Sequence, residues 1–229
     1  MNTVFKKLNE LNPRRNILSV YDDSFKNFGN IHKTFKIENL IKYLDQNNKV
    51  SDEIVYIPDV PELRRDFADE LNPIVQAIYA GMEVQVGRCF GRNNTLNALE
   101  YHQGSETYIH GTDMVMLLGL DEDITWPEGT YDTSKIKAFY ASKGCVIELK
   151  GGCLHYAGVN VYQQQGLNLI VMLLKGTNSP IDFEKEKQDK AKLLIARNTW
   201  FLAHTENEQF KKAGLHLGLI GENISLKTL

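Results

Sequence analysis

Between residues 82 and 175 the chain is cut into short segments rich in Val, Ile, Leu, Tyr and Phe, each closed by a cluster of Gly, Asn or Asp. The segments cover residues 82–86, 96–102, 107–109, 114–118, 135–141, 146–149 and 168–175. Extended runs punctuated this regularly fold back on one another, so they predict an antiparallel sandwich or barrel. This texture constrains the fold more than any other feature of the chain.

The flanks read differently. Ile37, Leu40, Ile41 and Leu44 have helical spacing over residues 37–45. Residues 53–57 form a short strand candidate ended by Pro58. Pro61 opens a helical stretch over 62–80, with an interruption expected at Asn72-Pro73 and a stop at Gly81. Residues 183–204, charged at first and then apolar, predict a C-terminal helix. The tail 215–223 is apolar and punctuated by glycine, which predicts packing. The expected organisation is one compact domain: an N-terminal helical and strand extension (1–81), a barrel (82–178), and a C-terminal helix with tail (179–229).

Composition narrows the function classes. With 26 basic and 29 acidic residues among 229, the formal charge is −3, and no basic stripe is present. That argues against nucleic acid as a partner, because phosphate-backbone binding needs one. An acidic chain is also a poor match for an anionic membrane surface. No run of about 18 apolar residues suggests a membrane span, and residues 1–11 lack the apolar core of a signal peptide. Cys89, Cys145 and Cys153 are odd in number and form no CxxC pair, so reduced thiols and a cytoplasmic location are expected.

Four residues carry the chemistry. Glu100 and His102 stand two apart in a strand-like run and so share a face. Gln103-Gly104-Ser105 reads as a tight turn, after which a returning strand brings Glu106 back beside the pair. Far downstream, Gly144, Gly152 and His155 recur in a second spaced pattern. Two imidazoles and two carboxylates suit one divalent ion, Zn, Mn, Fe or Ni. Taken singly, each has a plainer reading: a solvated strand face for Glu100 and His102, an exposed turn for Glu106, a hydrogen-bonded core histidine for His155.

These two segments resemble the paired motifs of the cupin superfamily. Glu100 stands at the first histidine of the first motif, His102 at the second, and Glu106 at its glutamate. Gly144, Gly152 and His155 match the second motif, with Lys150 in place of its proline and Asn160 one position late. The segments Asn97-Ala98-Leu99-Glu100-Tyr101-His102, Leu154-His155-Tyr156-Ala157 and Trp200-Phe201-Leu202-Ala203-His204 are similar to a bacterial cupin-like family of unknown function often found near sugar-catabolism genes. That family tends to have Pro-Cys after its His-Tyr-Ala; Gly158 and Val159 follow here. The resemblance implies a mainly β, double-stranded β-helix (jelly roll), with an N-terminal α/β segment and a C-terminal helix packed on it. It also suggests carbohydrate chemistry.

Further candidates surround the motifs. Tyr108 and His110 share the parity of Glu106 and are candidate acid–base groups, His110 the first choice as base. Arg88 and Arg92 flank the approach to the first motif and are candidate anion holders. Lys175 closes a strand and is a candidate at the pocket mouth. Cys153 stands two residues before His155. The expected function is a metal-dependent enzyme that moves a proton on a sugar, sugar acid or sugar phosphate, as an isomerase, epimerase or lyase. The alternatives are an Fe(II) oxygenase and a non-catalytic sugar-binding protein. The expected partner is a small carbohydrate-like molecule, and a homodimer is compatible with the chain.

Overall fold

The computed structural model describes residues 3–229; residues 1 and 2, the start of the expected extension, lie outside the described residues. Helix α1 (Thr3–Leu11) leads into strands β1 (Leu18–Ser19) and β2 (Gly29–His32). Helix α2 (Glu38–Gln46), strand β3 (Val55–Ile57) and helices α3 (Pro61–Asp66) and α4 (Ala68–Tyr79) follow. The β-rich stretch runs through β4 (Val84–Gly91), β5 (Ala98–Tyr101), β6 (Glu106–His110), β7 (Met114–Leu120) and β8 (Tyr131–Asp132). It continues with β9 (Lys137–Ala141), β10 (Val146–Leu149), β11 (Cys153–Leu154), β12 (Val159–Asn160) and β13 (Leu167–Leu174). The chain ends with β14 (Leu194–Ala196), β15 (Thr199–Ala203), helix α5 (Glu208–Lys212) and β16 (Leu219–Ile220).

Two sheets face one another. One has the order β2-β10-β6-β13-β4-β3; the other runs β1-β9-β7-β11, with β12 also paired to β7. Strand alternation explains how one sequence fills three layers. Met114, Met116 and Leu118 of β7 point inward and meet Leu167, Leu169, Val171 and Leu173 of β13 between the sheets. Val115 and Leu117 point the other way, into a layer built with α1 and the C-terminal tail. Ile170 and Met172 point out of β13 against the helices, where Leu40, Leu44, Leu63 and Ile74 are buried. Strands covered on both faces read as nearly continuous apolar runs, as in β7 and β13.

Two expectations about the helices change. The break in the first long helical stretch falls at Phe67, not at Asn72-Pro73. Pro73 sits inside α4 on its exposed side, and Asp69, whose carbonyl loses the Pro73 partner, is exposed. Water can satisfy that carbonyl, while burial of Leu71, Ile74 and Tyr79 holds the helix together. Ala80, in the left-handed region at φ 50°, then caps it just before Gly81.

The expected C-terminal helix over 183–204 is instead a short 3-10 turn and a hairpin, β14–β15, that pairs with β5. Its period is two: Trp200 and Leu202 pack on one layer, Phe201 and Ala203 on another. Trp200 lies opposite Tyr101 and stacks on it, ring centroids 5.2 Å apart. Cross-strand pairing of this kind outweighs local helix propensity. In the C-terminal region the one α-helix among the described residues is the five-residue α5. The tail is packed as expected, with Leu219, Ile224 and Leu226 buried.

Candidate metal centre

Strand β5 carries Glu100, and the chain leaves the sheet at His102. The turn that follows brings it back into β6, whose first residue is Glu106. His155 arrives just after β11. It bridges to Glu100 through two main-chain hydrogen bonds, Glu100 N–H to His155 O at 2.6 Å and His155 N–H to Glu100 O at 2.9 Å. Gly152, three residues before His155, takes φ +82°, a left-handed value that favours glycine at this turn.

The two histidines meet Glu106 on one side and Glu100 on the other. His102 Nε2 lies 3.4 Å, and His155 Nε2 2.5 Å, from Glu106 Oε2. Glu100, His102 and His155 each offer one donor atom, all within 4.8 Å of one another. His102, Glu106 and His155 are buried, while Glu100 is half-buried.

Main-chain carbonyls hold the far nitrogen of each histidine. His102 Nδ1 donates to Asn198 O at 2.7 Å, and His155 Nδ1 donates to Cys153 O at 2.9 Å. When neutral, each ring is thereby set in the tautomer that leaves Nε2 with a free lone pair, the arrangement usual for metal-ligating histidine. His102 Nε2, His155 Nε2 and Glu106 Oε2 are buried and meet no polar group among the described residues beyond one another. Any of them left unpaired costs about 1–3 kcal/mol. A divalent ion about 2.0–2.2 Å from each donor satisfies all three at once, and donors at that radius stand roughly 3 Å apart. The residues fit such an ion.

The electrostatics agree with a shared centre. Burial raises the pKa of Glu100, although the charges of His102 and His155 oppose it. At Glu106 burial also pushes upward, but the two histidines outweigh it and hold the carboxyl well below the usual range. At His155 burial disfavours the imidazolium, yet the neighbouring carboxylates, with Cys153, raise its pKa well above the ordinary value. Protons and a metal ion compete for such donors.

A cavity of about 220 Å³ opens onto the two carboxylates. Glu100, Glu106, Tyr108, Cys89, Tyr56, Tyr156 and Asn178 line it, with Ile54, Met114, Leu169 and Val171. Tyr108 thus faces the cavity, and burial, with the charge of Glu106, raises its pKa well above the phenol range. His110 is not among the lining residues; it packs edge-on against Tyr108 at 6.0 Å, fully buried, its Nε2 unpartnered. Burial lowers its pKa to about 3.

The expected anion holders lie elsewhere. Arg88 points out of the barrel, because its neighbour Cys89 points in; its guanidinium donates to Asn47 O and Asn168 Oδ1 and lies over Tyr43 and Phe90. Arg92 pairs with Asp52 and donates to Gln163 O at 2.9 Å. Lys175 is exposed and paired with Glu83. Cys153 contributes its carbonyl to His155, and all three cysteines are unpaired. Tyr56, Asn178 and Asn198 join the site without a signal in the sequence. The strand pattern at 53–57 is visible, but nothing local ties Tyr56 to residues more than forty positions away.

Two facing sheets with this cluster at one end define a cupin-type jelly roll, mainly β with helices packed outside. The chain belongs to the family described as a domain of unknown function (DUF4867), whose model matches residues 17–224. No curated protein matches it. Among solved structures, oxalate decarboxylase of Bacillus subtilis is 12% identical over 81% of this chain and 40% of its own, with a TM-score of 0.34. Acireductone dioxygenase from Bacillus anthracis, with a cadmium ion in its active centre, is 12% identical over 64% of this chain and 92% of its own, TM-score 0.32. Vicilin from Corylus avellana is 7% identical over 72% and 37%, TM-score 0.34. The chain spans less than half the length of the oxalate decarboxylase and vicilin chains. No helix among the described residues is long and apolar enough to cross a membrane.

Proposed function

We propose that the protein is a metal-dependent enzyme that moves a proton on a small polyhydroxylated carbonyl compound, as an isomerase, epimerase or lyase. Glu100, His102, Glu106 and His155 hold one divalent ion, of the Zn, Mn, Fe or Ni group. The observation that carries the reading is that the buried His102 Nε2, His155 Nε2 and Glu106 Oε2 converge and meet no other polar group among the described residues, with both Nδ1 atoms already committed to carbonyls.

When bound, such an ion supplies a Lewis acid for a carbonyl or enediolate oxygen. Two carboxylates and two neutral imidazoles leave the loaded centre without net charge, so proton movement falls to a protein group on the cavity wall. Tyr108 is the proton donor in our reading, a neutral phenol whose side chain lines the cavity next to Glu106. His110 supports the Tyr108 ring from behind. The wall around the reacting carbon is largely aliphatic and aromatic.

Elemental analysis of the purified protein, then a screen of sugars with the identified metal restored, tests the reading. Solvent deuterium should enter the substrate carbon, and turnover should be the same without oxygen. An obligatory oxygen requirement would replace proton transfer with oxygenase chemistry.

A further inference from the structure

The charge on the cavity wall sets the class of substrate. Among the described residues lining it, the only ionisable groups of full charge are Glu100 and Glu106, and no lysine or arginine is present. The three cations expected at the site are engaged elsewhere: Arg88 on Asn47 and Asn168, Arg92 with Asp52, Lys175 with Glu83. A divalent ion on two carboxylates leaves no surplus positive charge for an incoming anion. A carboxylate or phosphate entering here would lose its water with no partner to replace it, which is strongly unfavourable. The cavity is also small, below the roughly 300–1,000 Å³ of common ligand pockets.

The wall does offer neutral polar groups. Tyr56 Oη is buried, and the polar side chains next to it are the neutral amides of Asn178 and Gln85. Thr199 Oγ1 donates to Asn178 Oδ1 at 2.5 Å, which turns the amide so that Nδ2 keeps its donors. Asn178 itself is held in the left-handed region at φ 67°. A hydroxyl that can both donate and accept, next to an amide donor, matches a sugar hydroxyl.

We infer that the cavity takes an uncharged short-chain sugar, with neither carboxylate nor phosphate, and that Tyr56 and Asn178 hold one of its hydroxyls. This rests on the metal-centre reading and narrows its substrate class. Tyr56 is a binding residue that sets specificity, on a strand outside the two motifs that bring in the ligands.

The test uses the full chain loaded with Mn²⁺, its metal content measured first. Titration calorimetry then compares the D-aldopentoses and D-ketopentoses with the corresponding aldonates and 5-phosphates. At least one neutral pentose should bind at least tenfold more tightly than its aldonate and its phosphate. Tyr56→Phe should weaken that pentose by about tenfold with metal content and melting temperature unchanged. Ile54→Lys, which puts a cation on the wall, should shift preference toward the aldonate. A loaded centre that prefers anions, that binds none of the neutral pentoses, or that is indifferent to Tyr56→Phe overturns this inference alone. A chain that takes up no Mn²⁺ overturns the metal-centre reading instead.

Discussion

His102 and His155 differ from the buried His204 in what their second nitrogen does. His204 uses both ring nitrogens on main-chain groups, Gly221 O and Glu206 N, and so is spent on structure. His102 and His155 each use one and leave the other pointing at Glu106. His102→Ala and His155→Ala should each lower metal affinity by more than the roughly 10–100-fold that loss of an outer partner costs. Calorimetry with Mn²⁺ measures this; wild-type affinity in either variant would remove that residue from the centre. Tyr108→Phe should keep the metal and lower turnover by about 10²–10⁴-fold, the usual contribution of a positioned acid–base group. Full activity in that variant would exclude Tyr108 from proton transfer.

At the scale of elements, the β14–β15 hairpin supports the site from behind. Its turn residue Asn198 sits at φ 57°, accepts from Gln103 N–H at 2.9 Å through Oδ1, donates to Thr177 Oγ1 at 3.0 Å, and holds His102 through its carbonyl. Asn198→Ala keeps the carbonyl but loses both side-chain bonds and strains the turn, so the carbonyl that orients His102 is no longer held in place. Metal affinity should fall about 10–100-fold although no ligand has changed; an unaltered affinity would mean that the hairpin does not orient His102. This hairpin is also where sequence reading fails. The charged run before Leu193 imitates a helix, and the pairing of Trp200 with Tyr101 spans about a hundred residues, beyond any local pattern. By contrast β6, β7 and β13 are legible, because turns and apolar runs mark them locally. The Glu100, His102 and Glu106 grouping is legible for the same reason, since one turn joins its two strands. Tyr56 and Asn178 come from β3 and the stretch after β13, and only the closed sheets bring them to the cavity. Arg88 is misplaced by sequence reading because strand parity relative to Cys89 depends on which face is inside.

At the scale of the whole molecule, the barrel buries His110 away from the cavity. That burial lowers the pKa of His110 to about 3, whereas an unfolded chain binds its proton near pH 6.5. Between those values the unfolded state holds more protons, so stability is intact at neutral pH and falls as the pH drops below about 6.5. His110→Phe should therefore lose less stability than the wild type between pH 7 and pH 4.5, by about 2–3 kcal/mol. Urea unfolding at the two pH values measures the difference; identical pH dependence would mean that His110 is not held neutral.

All of this turns on whether one ion sits among Glu100, His102, Glu106 and His155. A crystal of the protein grown with Mn²⁺ and recorded at the manganese absorption edge answers the question. The account predicts one anomalous peak per chain, about 2.0–2.3 Å from the Nε2 atoms of His102 and His155 and from an oxygen of each glutamate. No peak at this position, or a peak that leaves His102 and His155 out of reach, would contradict it.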